Sequence, residues 1–238
     1  MKKIFEKHET LCCILLIVIY VVANSYCVQH FGNTSSEGFV VNTILSVFLI
    51  GIIVALKRTA YYGLTSVTNT KQYGYFIPLM LIVTVNLWGG IDLHQSGRDI
   101  LFHVLTMLNI GFIEEILFRG FLFKMMAKHN VKSAVIVSSL TFGIGHIINL
   151  LNGAEFISTI IQICSAISIG YLFVLIFYKS GSLIPGIITH SLVNALSVFY
   201  VEKPIVSYIA STFLIIAPLL YALSIQKNVK DTISHEQA

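Results

Sequence analysis

The sequence predicts an all-α fold: a polytopic membrane helix bundle of about eight transmembrane helices, with both termini cytoplasmic. Three observations carry this. The 238 residues are 56% hydrophobic and only 11% charged, with a mean hydropathy of +0.84, whereas soluble domains are roughly 25% charged. Apolar runs able to cross ~30 Å of hydrocarbon at 1.5 Å per residue recur along the chain. The basic residues alternate between connecting segments as the positive-inside rule requires.

The apolar runs are residues 11–28, 40–56, 75–89, 100–123, 131–151, 156–178, 183–200 and 205–225. The third is the weakest, being short and interrupted by Asn86 and Gly89-Gly90. With a cytoplasmic N-terminus, the inner segments hold Lys2, Lys3, Lys7, Lys57, Arg58, Lys71, Arg119, Lys124, Lys128, Lys132, Lys179, Lys227 and Lys230. The outer segments hold only Arg98 and Lys203 of the 15 basic residues. This asymmetry supports an even number of crossings with both termini inside. The net charge of +4 is therefore an orientation signal. Basic residues spread over separate loops form no nucleic-acid footprint.

The first run follows Met1-Lys2-Lys3 and contains Ala23-Asn24-Ser25, features shared with a signal peptide. Its length, and the charge alternation that its loss would spoil, favour a retained helix. Cys12, Cys13, Cys27 and Cys164 form no C-x-x-C pair or disulfide framework, and are expected to be reduced, buried small hydrophobes within the spans. Three regions follow: N-terminal helices over 1–99, a polar-residue-bearing core over 100–200, and a last helix with a solvated, frayed tail over 201–238.

The core carries the chemistry. Glu114 and Glu115 lie inside an otherwise apolar helix, with Arg119 four residues beyond the second. An ionised carboxylate in hydrocarbon costs on the order of several kcal/mol unless paired, neutralised or wetted. Glu115 and Arg119 share a helix face and can pair. Glu114 is turned ~100° away. Lacking that partner, it is the better candidate to take a proton from water. The alternative is an ion pair that only fixes helix packing.

Two further runs add polar groups. Phe142-Gly-Ile-Gly-His146 places His146 beside two glycines that would admit a neighbouring helix. His190 and Asn194 share a face at i and i+4, one turn after Pro185-Gly186, which is expected to loosen the backbone there. Alone, each histidine could be a packing residue and Asn194 interhelical glue. Converging in a bundle interior, two carboxylates, two histidines and an amide could activate water and stabilise an oxyanion, the inventory for peptide hydrolysis.

The ordered motifs Glu114-Glu115-x-x-Phe118-Arg119, Phe142-x-x-x-His146 and His190-x-x-x-Asn194 resemble the Abi/CPBP family. This is the group of type II CAAX prenyl endopeptidases and their bacterial relatives, some linked to bacteriocin immunity. The resemblance covers roughly residues 100–200. It implies a bundle of about eight helices with a cavity reaching the cytoplasmic side. It implies that Glu114 polarises the attacking water, His146 holds it, and His190 and Asn194 bind the oxyanion. Glu115 and Arg119 take supporting, more structural places.

Members are often classed as metalloproteases, and a zinc ion held by Glu114, His146 and His190 is conceivable. The chain has no H-E-x-x-H spacing, and the metal-free arrangement is preferred. The leading function is an intramembrane endopeptidase acting on a membrane-associated or prenylated CAAX-type peptide in the lipid bilayer. A non-proteolytic bacteriocin-immunity or regulatory membrane protein on the same scaffold is the alternative. A transporter is a third, disfavoured because the polar motifs are not duplicated in the two halves. A Lys- and Ile-rich composition with only 4 prolines suggests a low-GC bacterium. That places the protein in a bacterial cytoplasmic membrane, with a peptide pheromone, bacteriocin or membrane protein as substrate.

Overall fold

The computed structural model describes residues 2–67 and 76–236, and every regular element among them is helical. The elements are α1 (Lys2–Lys7), α2 (Glu9–Phe31), α3 (Ser36–Leu56), α4 (Leu79–Val83), α5 (Gly97–Glu115), α6 (Lys124–Ala127), α7 (Val131–Gly145), α8 (Ile148–Leu151), α9 (Phe156–Ser180), α10 (Ile184–Leu196) and α11 (Pro204–Glu236). Between α5 and α6, Ile116–Phe123 forms a π-helical stretch, so Gly97–Ala127 is one continuous helical body.

Among the described residues, six helices are long and apolar enough to cross a membrane: Glu9–Phe31, Ser36–Leu56, Gly97–Ala127, Val131–Leu151, Phe156–Ser180 and Pro204–Gln226. Their ends are set by local chemistry. Ser35, Ser96 and Asn130 accept hydrogen bonds from the backbone N–H of Gly38, Asp99 and Ser133, which satisfies donors that a helix start leaves orphaned. Gly181 closes α9 in the left-handed conformation at φ 70°, which glycine adopts without steric cost. Leu11, Val22, Ile44, Val54 and Ile209 are among many large apolar side chains left exposed on the outer helices, as lipid-facing surfaces require.

The remaining two apolar runs are shorter than a full span. Ile184–Phe199 is an apolar helix of under 18 residues. The described part of the third run breaks into α4 and a 3₁₀ turn, Val85–Leu87. Its start, like Lys71, lies outside the described residues. The break has visible causes. Asn86 donates its side-chain N–H to the Val193 carbonyl, and Gly90 takes φ 114°, a conformation L residues rarely adopt. The segment nonetheless runs from one end of the bundle to the other, because Phe76 lies beside Lys179 and Ile225 while Gly89 abuts Val201.

α5 is central, packed against α3 and α10. α7 packs on the π-helical stretch and on α9, and α11 lies against α9. One end of the bundle is sealed. Leu183 donates its N–H to the Gly63 carbonyl, Ser182 donates its hydroxyl to the Thr65 carbonyl, and Phe121 meets Tyr62 edge-on and Phe5 at a tilt. Burial pushes the Tyr62 hydroxyl up to about 12. Lys128 and Glu9 pair at the same end.

Three expectations need correction. Pro185 sits in the first turn of α10, where its missing N–H would be unbonded anyway, so it starts that helix and loosens nothing. Gly143 does admit a neighbour, since a Cβ there would lie 2.9 Å from the Ile167 nitrogen, but Gly145 faces open space. Cys13 and Cys27 are buried, whereas Cys12 is half-buried and Cys164 exposed on α9.

Candidate active site

The site forms where α5 passes into the π-helical stretch. π-helical turns are rare and recur at functional sites; here one begins at Ile116, directly after the two glutamates. Glu115 and Arg119 pair at 3.0 Å, both side chains fully buried. The Arg119 guanidinium carbon also lies 4.0 Å from the centre of the Phe142 ring. Each buried charge carries a desolvation cost of several kcal/mol, which the ion pair and the ring face offset together. Gly170 leaves room for that guanidinium, because a Cβ there would sit 3.0 Å from Nη2.

His190 comes from α10 and bridges the two glutamates. Its Nδ1 lies 3.0 Å from Glu115 Oε1 and its Nε2 lies 3.4 Å from Glu114 Oε2. A carboxylate can only accept, so Nδ1–H donates to Glu115, and that bond orients the Nε2 edge towards Glu114. Two glycines make the approach possible. A Cβ on Gly186 would lie 3.2 Å from Glu115 Oε2, and one on Gly111 would lie 2.7 Å from the Ser191 nitrogen. Glu115 therefore does more than hold Arg119: it also orients a histidine.

Phe142 links the parts. Its ring meets His146 and His190 edge-on, at 5.5 and 5.6 Å between centroids. His146 ends α7, and its ring makes no hydrogen bond among the described residues. Two cavities, of about 680 and 580 Å³, meet here, each within the range typical of ligand pockets. Phe142, His146, Gln162 and Asn194 line both, while Glu114 faces the smaller and His190 the larger. The structure thus brings together all six residues singled out from the sequence.

It also adds residues the sequence did not suggest. Tyr20 of α2 donates its hydroxyl to Glu114 Oε1 at 2.5 Å. His103 of α5 contacts the Asn194 carbonyl at 3.2 Å and the Ser197 hydroxyl at 3.1 Å, which fixes the end of α10. Neither carries a local signal, since a tyrosine or histidine in an apolar helix is ordinarily a packing residue.

The residues do not fit a metal. Among the described residues no three His, Cys, Asp or Glu side chains are grouped to hold an ion. His190 directs one ring nitrogen to Glu115 and the other towards Glu114. The set Glu114, His146 and His190 is therefore not arranged as a zinc centre.

The stretch of chain that carries this geometry also matches a known family. Residues 95–196 match the family described as type II CAAX prenyl endopeptidase Rce1-like. This segment is similar to the Rce1-like family. The match takes in α5, the π-helical stretch and α7 to α10, the elements that supply Glu114, Glu115, Arg119, His146, His190 and Asn194. No curated protein and no solved structure matches the chain. The Rce1-like family is a family of membrane proteases, and the chain is a multi-pass helical membrane protein. Tyr20 lies outside the matched segment.

Proposed function

We propose that the protein is an intramembrane endopeptidase that hydrolyses a peptide bond with water activated by Glu114 and His146. Glu114 and His146 line one cavity, which supports a water held between a carboxylate and an imidazole. Glu114 takes a proton from that water as its oxygen attacks the scissile carbonyl carbon. Asn194 and His190 face the adjoining cavity. The Asn194 amide, and His190 Nε2 when it bears a proton, donate to the oxyanion that forms. Collapse of the tetrahedral intermediate breaks the C–N bond, and Glu114 returns its proton to the leaving nitrogen. The products are a carboxylic acid and an amine.

The observation that carries this reading is His190 held between two glutamates beside a peptide-sized cavity. A membrane-associated peptide of the CAAX type, or another peptide anchored in a bacterial cytoplasmic membrane, is the substrate class the family supports. Cleavage assays with Glu114→Gln and His146→Ala test it. General acid–base groups contribute about 10²–10⁴-fold, so each variant should lose at least about 100-fold. Parental activity in both would refute it.

A further inference from the structure

We infer that the site is served from the extracytoplasmic face of the membrane. Its substrate is then a peptide segment exposed there, with an apolar flank in the outer leaflet. The side rests on geometry and charge; the word substrate rests on the hydrolase reading above.

Both cavities open at one end of the bundle. The smaller reaches Asn33, Gly153 and Ala154, and the larger reaches Glu155, Glu202 and Pro204. These residues lie in or beside the α2–α3, α8–α9 and α10–α11 connections. Neither cavity is lined by residues of the opposite end, where the 57–66 segment is bonded to Ser182 and Leu183 and covers Phe121.

Charge assigns the two ends to the two sides of the membrane. The sealed end carries the basic residues of α1, of the 57–58 turn, of the α6–α7 connection and of the end of α9. At the mouth the described basic residues are Arg98 and Lys203, outnumbered by Glu37, Asp92, Asp99, Glu155 and Glu202. Lysine and arginine gather on the cytoplasmic side, so the sealed end is cytoplasmic and the mouth is not. This reverses the side that the family resemblance implies.

The larger cavity has apolar walls from both α9 and α11, including Ile157, Ile161 and Leu214. The two helices are bonded further towards the sealed end, through Ser168 to the Ile215 carbonyl and Tyr171 to Gln226. An apolar peptide flank can therefore lie between them near the mouth, in the outer leaflet. A prenylated C-terminus in the cytoplasm would meet only the plug.

The test is labelling of single introduced cysteines in intact cells with a membrane-impermeant maleimide. Ala154→Cys and Glu202→Cys report the mouth, and Thr59→Cys and His129→Cys the sealed end; two positions at each end guard against one misfolded variant. The parent protein, whose Cys164 is exposed while its other three cysteines are buried or half-buried, supplies the background that each variant's labelling must exceed. Labelling of the mouth pair alone is expected. Labelling of the sealed-end pair alone would overturn the inference. Right-side-out and inverted vesicles are then given an impermeant quenched-fluorescent peptide. Cleavage confined to right-side-out vesicles supports the proposal, and cleavage confined to inverted vesicles overturns it. Absence of cleavage in both counts against the hydrolase reading and leaves the side decided by labelling.

Discussion

Tyr20 and Glu114, 94 positions apart, meet through a hydroxyl-to-carboxylate hydrogen bond of 2.5 Å. The bond fixes one oxygen of Glu114 and ties α2 to the helix that carries the site. Its other oxygen faces His190 at 3.4 Å. A carboxylate anchored on one oxygen keeps the second in a defined direction, which is what a general base needs.

Tyr20→Phe keeps the ring and removes that bond. Hydrogen bonds to charged groups are worth about 1.5–3 kcal/mol, so kcat is expected to fall about 10–100-fold while KM stays near the parental value. Steady-state kinetics on the two proteins check this. An unchanged kcat would show that Tyr20 only packs.

Arg119 is expected to act on stability. Removing one partner of a buried ion pair costs about 3–5 kcal/mol, and Arg119→Ala would strand the buried Glu115 carboxylate and empty the space against Phe142. Thermal unfolding in detergent should show a large drop in midpoint. Arg119→Lys should rescue it only in part, because the planar guanidinium that both pairs and stacks is lost. A variant that is fully stable yet inactive would give Arg119 a chemical role instead.

Much of this site was legible because lipid makes charge conspicuous. Two glutamates in an apolar run demanded an explanation, and the four-residue step from Glu115 to Arg119 gave their pairing directly. The contacts of His190 with Glu115 and of Tyr20 with Glu114 were not legible, since they join residues 75 and 94 positions apart and depend on how helices cross. The π-helical stretch has no residue signature of its own. The third passage was legible as a crossing from its apolar run and the charge alternation, and its break was half visible in Asn86 and Gly89-Gly90. The open end of the cavity depends on where connections fold back, which composition does not record.

Two glycines offer a paired test of helix approach. A Cβ on Gly111 would lie 2.7 and 2.8 Å from the Ser191 backbone nitrogen and Cα, whereas nothing lies within 4 Å of one on Gly145. Backbone cannot swing aside as a side chain can, so Gly111→Ala must push α10 from α5 and move His190 away from both glutamates. Overpacking of this kind costs about 1–3 kcal/mol, and activity should fall with it. Gly145→Ala should be close to neutral in both. Thermal midpoints and cleavage rates measured side by side decide this. Equal effects in the two variants would contradict the packing account.

Metal removal tests the donor arrangement. Glu115 accepts from His190 Nδ1 at 3.0 Å, and the His190 Nε2 edge faces Glu114. A zinc ion using His190 would have to displace one of these contacts, and His146 is not grouped with two further donors around a common point. Activity of purified protein is therefore expected to survive dialysis against a strong chelator. Elemental analysis should find no stoichiometric zinc before or after. Zinc present at one ion per chain, and lost together with activity, would mean that His190 turns away from Glu115 in the working enzyme. Glu115→Gln would then leave zinc content intact, whereas in the arrangement described here it loosens His190 and lowers activity with no metal involved.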